Sequence, residues 1–123
     1  MQRRLIVTTI LLLATTLVSG RTWAHARLRT AVPAVGSAIA ASPNEICLGL
    51  SEGVEVRFSS ITLTDAHNNA VSIEAAIADP NDRKTLVVKL RGPLLPGTYR
   101  VDWKVVSVDS HKTTGLFIFV VKP

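Results

Sequence analysis

The chain has 123 residues, of which 47 % are hydrophobic and 5 % are aromatic, and it carries a formal net charge of +5. This length allows one domain of ordinary size, and the apolar content is too high for a disordered chain. With one Cys and one Met, an intrachain disulfide framework, a Cys-rich zinc site and a cluster of thioether ligands are excluded.

Residues 1–24 have the layout of a secretory signal peptide. A short basic start precedes an uncharged apolar run at residues 5–18, and a more polar segment ends at the small residue Ala24. The run is shorter than the ~20 residues that span a bilayer as a helix, and a retained anchor is the alternative. We expect cleavage after Ala24, with cleavage after Gly20 as the rival and twin-arginine export as the weaker route.

Removal of residues 1–24 changes the charge of the protein. Three of the 14 Lys and Arg residues lie there, so 11 remain against nine Asp and Glu, and the net charge falls to +2. The remaining basic residues are scattered along the predicted domain, residues 25–123, with no basic run. We therefore expect no nucleic-acid partner.

Short segments of alternating apolar and polar residues fill the rest of the chain. Turn-forming residues separate them at 65–69, 79–82 and 92–97, and no segment has a capped helical period. The predicted strands cover residues 46–50, 54–58, 61–64, 71–78, 85–90, 99–105 and 116–121. About seven strands separated by regular turns indicate an all-β fold, an antiparallel β-sandwich.

Four of the six aromatic residues are expected in the core of this sandwich. They are Tyr99, Trp103, Phe117 and Phe119. The segment 94–99 resembles a tyrosine corner, in which a Tyr hydroxyl bonds to nearby backbone at the entry to a strand.

Asp109 and His111 are the first candidate metal ligands. Two residues apart in an extended chain, their side chains point to the same side, so an oxygen and an imidazole nitrogen can converge on one ion. The alternative is a polar strand end with an Asp–His hydrogen bond. The remaining reactive side chains are less promising, since His67 lies in a polar turn and Cys47 fits a small buried hydrophobe or, alternatively, a thiol that pairs between chains.

His25 is the third candidate ligand. If cleavage follows Ala24, His25 offers its free α-amine and its imidazole Nδ1, and these two nitrogens can chelate one metal ion. Together with Asp109 and His111 they form a set of three nitrogens and one oxygen. This set suits Cu(II) best among the common divalent metals. The alternative is that His25 merely follows the cleavage site.

At this point the chain resembles the CopC-type copper resistance proteins. The matching segments are HARL at 25–28, PAVGS at 33–37, LSEGV at 50–54, PGTYRVDW at 96–103 and VVSVDSHKTTG at 105–115. The combination of a mature N-terminal His with Asp-x-His-x-x-x-Gly is the specific part of this resemblance.

The resemblance implies a periplasmic carrier of one Cu(II) per chain with an immunoglobulin-like Greek-key sandwich or barrel. His25, Asp109 and His111 would bind the metal, and Glu52 matches an acidic position close to it. The Met-based Cu(I) site of some members is not expected, because Met1 is the only methionine. The implied partner is an inner-membrane CopD-type copper transporter, and we expect the chain itself to be a monomer.

Two other functions compete with a copper carrier. An N-terminal His with a second His also forms the copper site of polysaccharide monooxygenases, but an Asp109 ligand would fill the position that oxygen needs. The other is a structural or adhesion β-sandwich without a metal. The carrier hypothesis predicts binding and release without catalysis, so we expect no enzyme activity.

Overall fold

The computed structural model describes residues 26–123, so the predicted signal peptide and His25 lie outside the described residues. The described chain forms strands and one short 3₁₀ turn. The strands are β1 Leu28–Val32, β2 Ala38–Ile39, β3 Glu45–Leu50, β4 Ser60–Asp65, β5 Ala70–Val71, β6 Ile77–Asp79, β7 Asp82–Lys89, β8 Gly97–Val106 and β9 Lys112–Val121.

Two sheets pack against each other. One has the order β1-β3-β7-β6 and the other has the order β2-β9-β8-β4-β5. The strand pairs are antiparallel except β2–β9, which is parallel. The predicted all-β sandwich is therefore confirmed, with nine strands in residues 26–123 instead of about seven. Within the same residues no helix is long and apolar enough to cross a membrane.

The core lies between the sheets because buried and outward-facing residues alternate along most of the long strands. Val101 of β8 and Phe119 of β9 are fully buried, while the residues on either side of each are exposed or only partly buried. The four aromatic residues predicted for the core are buried, with exposed fractions of 8 % or less. The predicted tyrosine corner is also confirmed, since the Tyr99 hydroxyl donates to the Leu95 carbonyl at 2.6 Å.

The prediction of a strand at 54–58 was wrong. Only Val54 pairs, in an isolated bridge to Ser107, and Val56–Phe58 forms a 3₁₀ turn. The Phe58 N–H donates to the Glu55 carbonyl at 3.1 Å, and the Ser59 hydroxyl donates to the same carbonyl at 2.8 Å. This local bonding satisfies the backbone without a neighbouring strand.

Two further predictions need correction. The predicted strand at 71–78 is divided between β5 and β6, with a single bridge from Ile73 to Leu90 between them. Cys47 is half-buried and alternates with the buried Ile46 and Leu48, so it lies on the outer face of its sheet and not in the core.

Candidate metal centre

The loop between β8 and β9 carries both Asp109 and His111. The Ser107 N–H donates to the His111 carbonyl at 2.9 Å, and the Ser110 N–H donates to the Ser107 carbonyl at 2.9 Å. Ser110 has a φ of 71°, so the β-turn over residues 107–110 ends in a left-handed residue, as is common in three-residue hairpin loops. The two side chains are therefore brought together by a turn and not by the alternation of an extended chain.

Asp109 and His111 meet at the tip of this hairpin. The Asp109 Oδ2 lies 3.1 Å from the His111 Nδ1, and the side chains are 41 % and 30 % exposed, respectively. Two donor atoms that bind one ion at ~2 Å and at right angles lie about 3 Å apart. The contact has the spacing of two adjacent metal ligands, and it is equally the close approach that an Asp–His pair without a metal would show.

Ser107 supports this pair and was not anticipated from the sequence. Its side chain is fully buried, and its hydroxyl donates to the Asp109 Oδ1. This hydrogen bond and, after it, the contact with His111 hold the pKa of the Asp109 carboxyl below its ordinary value. The sequence feature that could have indicated this role of Ser107 is the regular Ser-x-Asp-x-His spacing.

A second segment, residues 51–53, is hydrogen-bonded to the hairpin loop. The Val108 N–H donates to the Gly53 carbonyl at 3.1 Å. At its other end, the Ser51 N–H donates to the Arg27 carbonyl at 2.8 Å, and the Arg27 N–H donates to the Ser51 hydroxyl at 2.7 Å. Ala26 is fully buried. The start of the described chain is thus attached, through this segment, to the end of the sandwich that carries Asp109.

Glu52 lies in this segment and is half-buried. Within residues 26–123 its carboxylate makes no hydrogen bond or ion pair with Asp109 or His111. No three His, Cys, Asp or Glu side chains of this part of the chain form a group that could hold a metal ion. Of the predicted ligands, Asp109 and His111 are therefore in contact, Glu52 is on the adjacent segment, and His25 lies outside the described residues.

His67 is remote from the hairpin loop. It is exposed in the β4–β5 turn, where its N–H donates to the Asp65 carboxylate at 2.9 Å. Asp65 pairs with Tyr99 at the start of β8, whereas the loop follows Val106 at the end of β8. The assignment of His67 as a solvated turn residue agrees with this position.

Comparison with known proteins identifies the family. The model of the CopC domain family matches residues 28–122. The protein YobA of Escherichia coli K12 is 45 % identical over 111 residues, which cover 90 % of each chain. Copper resistance protein C of Escherichia coli is 42 % identical over 105 residues, covering 80 % of this chain and 82 % of the relative.

A solved structure supports the same assignment. PcoC, described as a methionine-rich copper resistance protein from Escherichia coli, superposes with a TM-score of 0.73 at 40 % identity. The match covers 80 % of this chain and all of the PcoC chain. The proteins of the CopC family are copper-binding and copper resistance proteins and not enzymes. The chain belongs to the CopC family.

Proposed function

We propose that the mature chain is a periplasmic copper carrier that binds one Cu(II) and releases it to a partner. The ligands are the α-amine and imidazole of His25, a carboxylate oxygen of Asp109 and the imidazole of His111. The observation that carries this proposal is the 3.1 Å approach of Asp109 to His111 on an accessible hairpin loop. Family membership supports copper as the cargo.

The attachment of Ala26 and Arg27 supports the participation of His25. The Ser51 N–H donates to the Arg27 carbonyl, the Arg27 N–H donates to the Ser51 hydroxyl, and Gly53 of the same segment accepts from the Val108 N–H in the hairpin loop. His25 is joined directly to Ala26. Cleavage after Ala24 therefore creates a free amine one residue from a fixed point of the fold.

The donor set favours the oxidised copper ion. Imidazole, amine and carboxylate suit tetragonal Cu(II), whereas Cu(I) prefers thioether and thiolate sulfur. The Asp109 carboxylate is anionic at neutral pH, and its lowered pKa extends the anionic form to more acidic pH. Unlike the methionine-rich PcoC, this chain has no Met after residue 1, so we propose no Cu(I) site.

Glu52 is proposed to act close to the metal without being a principal ligand. It is half-buried on the segment hydrogen-bonded to the loop. A carboxylate at this place can accept a hydrogen bond from a ligand nitrogen and orient it, as outer-sphere carboxylates do in many metal sites.

The exposure of the loop supports transfer to a partner. Val108 on the loop is 59 % exposed and the Asp109 side chain is 41 % exposed, so a partner can contact this end of the hairpin. We propose that the partner is an inner-membrane CopD-type transporter and that the carrier acts as a monomer.

Titration of the mature protein with Cu(II) tests the ligand set. We expect one tight site per chain in protein that starts at His25, and an affinity lower by more than about 100-fold after His111→Ala or Asp109→Ala, since direct ligands exceed outer-shell partners in effect. A chain with one additional Gly before His25 should show a similar loss, because its His25 nitrogen is an amide.

His67→Ala is the matched control, because it removes an imidazole from the β4–β5 turn, which lies near the start of β8 and away from the hairpin loop at its end. Its copper affinity should equal that of the unmodified mature chain. An extended chain that binds Cu(II) as tightly as the mature one would refute the amine ligand, and a mature chain with no tight site would refute the carrier function.

A further inference from the structure

Ser107 is the one buried polar residue within residues 26–123, and its side chain is inaccessible to solvent. Burial of a hydroxyl costs free energy unless the hydroxyl is hydrogen-bonded. Ser107 stands at the last position before the hairpin loop and also forms an isolated antiparallel bridge with Val54. The bridge to Val54 and the hydrogen bonds to the hairpin loop therefore fix the position of Ser107. Its N–H, carbonyl and hydroxyl groups all bond to residues of the loop.

Both proposed ligands on the loop contact Ser107. Its N–H donates to the His111 carbonyl at 2.9 Å, and its Oγ lies 3.3 Å from the same oxygen. The Oγ is closer to the Asp109 Oδ1. Since a hydroxyl has one proton and a carboxylate is the stronger acceptor, the proton is donated to Asp109.

We propose that Ser107 is a positioning residue for copper, which deepens the carrier function and rests on it. The Ser107 hydroxyl donates its hydrogen bond to the Asp109 Oδ1. The other carboxylate oxygen, Oδ2, is then the one that lies next to the His111 Nδ1 and can bind the same metal ion. Asp109 then binds the metal through one oxygen. The rotamer of this exposed carboxylate is set before the ion arrives, so less conformational entropy is lost when the metal binds.

Ser107→Ala removes the hydroxyl and keeps the backbone bond to His111. We expect the Cu(II) affinity of the mature chain to fall by about 10–100-fold, the usual effect of losing an outer-shell partner of a metal ligand. The electron paramagnetic resonance spectrum of bound Cu(II) should change as well, because the carboxylate is free to rotate or to bind through both oxygens.

Ser59→Ala is the matched control. The Ser59 hydroxyl accepts a hydrogen bond from the Val106 N–H at 3.1 Å, at the base of the same hairpin, and has no contact with Asp109. This variant should retain both the affinity and the spectrum. Thermal unfolding of the copper-free proteins shows what each substitution does to the fold itself.

A double-mutant cycle with Asp109→Ala decides between positioning and a structural role. If Ser107 acts through Asp109, adding Ser107→Ala to Asp109→Ala produces no further loss of affinity. An additive loss would overturn the inference, and so would a Ser107→Ala protein that is less stable but has the original affinity and spectrum. Cu(II) binding by the unsubstituted mature chain is measured first. If that chain does not bind Cu(II), the carrier function is refuted, and this outcome is distinct from a failure of the Ser107 inference.

Discussion

The absence of a side chain at Gly115 makes room for the Trp103 indole between the two longest strands' facing residues. The residues face each other in the β8–β9 register, and the Trp103 indole lies across the backbone of Gly115. A Cβ at position 115 would lie 3.0 Å from the indole Nε1 and closer still to two ring carbons. Only glycine leaves room for a buried tryptophan at this place.

We expect Gly115→Ala to lower the free energy of unfolding by about 1–3 kcal/mol, the typical cost of overpacking. Gly92→Ala is the control, because a Cβ there meets no atom within 4 Å. Urea unfolding followed by tryptophan fluorescence measures both. Equal stability of the two variants would show that the indole moves aside at no cost.

Strand β8 is fixed at its start by side-chain bonding and packing. The Tyr99 hydroxyl reaches back to Leu95, and the Tyr99 ring stacks on Phe119 of β9 with the ring centroids 5.6 Å apart. The corner therefore connects the preceding loop to the strand whose far end carries the hairpin with Asp109. The register of β8 against β9 in turn sets which residues form that loop.

Tyr99→Phe should lower the free energy of unfolding by about 1 kcal/mol, because it removes one buried hydrogen bond and keeps the ring stacking. Ser37→Ala serves as the control, since the bond from its hydroxyl to Ala34 is exposed and its removal should cost less than about 0.5 kcal/mol. Chemical denaturation of both variants provides the comparison. A Tyr99→Phe protein as stable as the parent would contradict the proposed role of the corner.

For the molecule as a whole, turn carboxylates link stability to pH. The pKa of Asp65 is below its ordinary value of 3.8, mainly because the Asn69 N–H donates to it. The pKa of Asp82 is lowered by the Lys84 N–H and then by the Thr85 hydroxyl. In both cases the folded state holds the proton less tightly than the unfolded state, so the stabilisation is present above the ordinary pKa and is lost as the pH falls through the folded value.

The free energy of unfolding should therefore decrease as the pH is lowered from about 6 to about 3. A double variant, Asp65→Asn with Asp82→Asn, should show a smaller decrease, because these two groups no longer titrate. Glu74→Gln is the control, since the exposed Glu74 side chain makes no hydrogen bond or ion pair within residues 26–123. An unchanged decrease in the double variant would contradict this linkage.

The sequence by itself determined the fold class and much of the core. Strict alternation over 99–105 requires one buried face, and the aromatic residues on that face are buried as expected. The turn at 65–69 was also predictable, since Asn tolerates the left-handed conformation that Asn68 adopts, with a φ of 63°. The choice of Asp109 and His111 as neighbours rested on residue chemistry and short spacing, and these are local properties.

The tertiary structure decided which segments find partners. Alternation at 54–58 indicates a strand, but only Val54 has a neighbouring strand end to pair with, so the rest closes into a 3₁₀ turn. Strand β2 is two residues long and exists because it pairs with β9. The alternation of apolar and polar residues indicates which side chains share a face, whereas the pairing of strands depends on residues that are distant in sequence. For the same reason the hairpin register, and not the spacing of Asp109 and His111, places the Ser107 hydroxyl against the carboxylate.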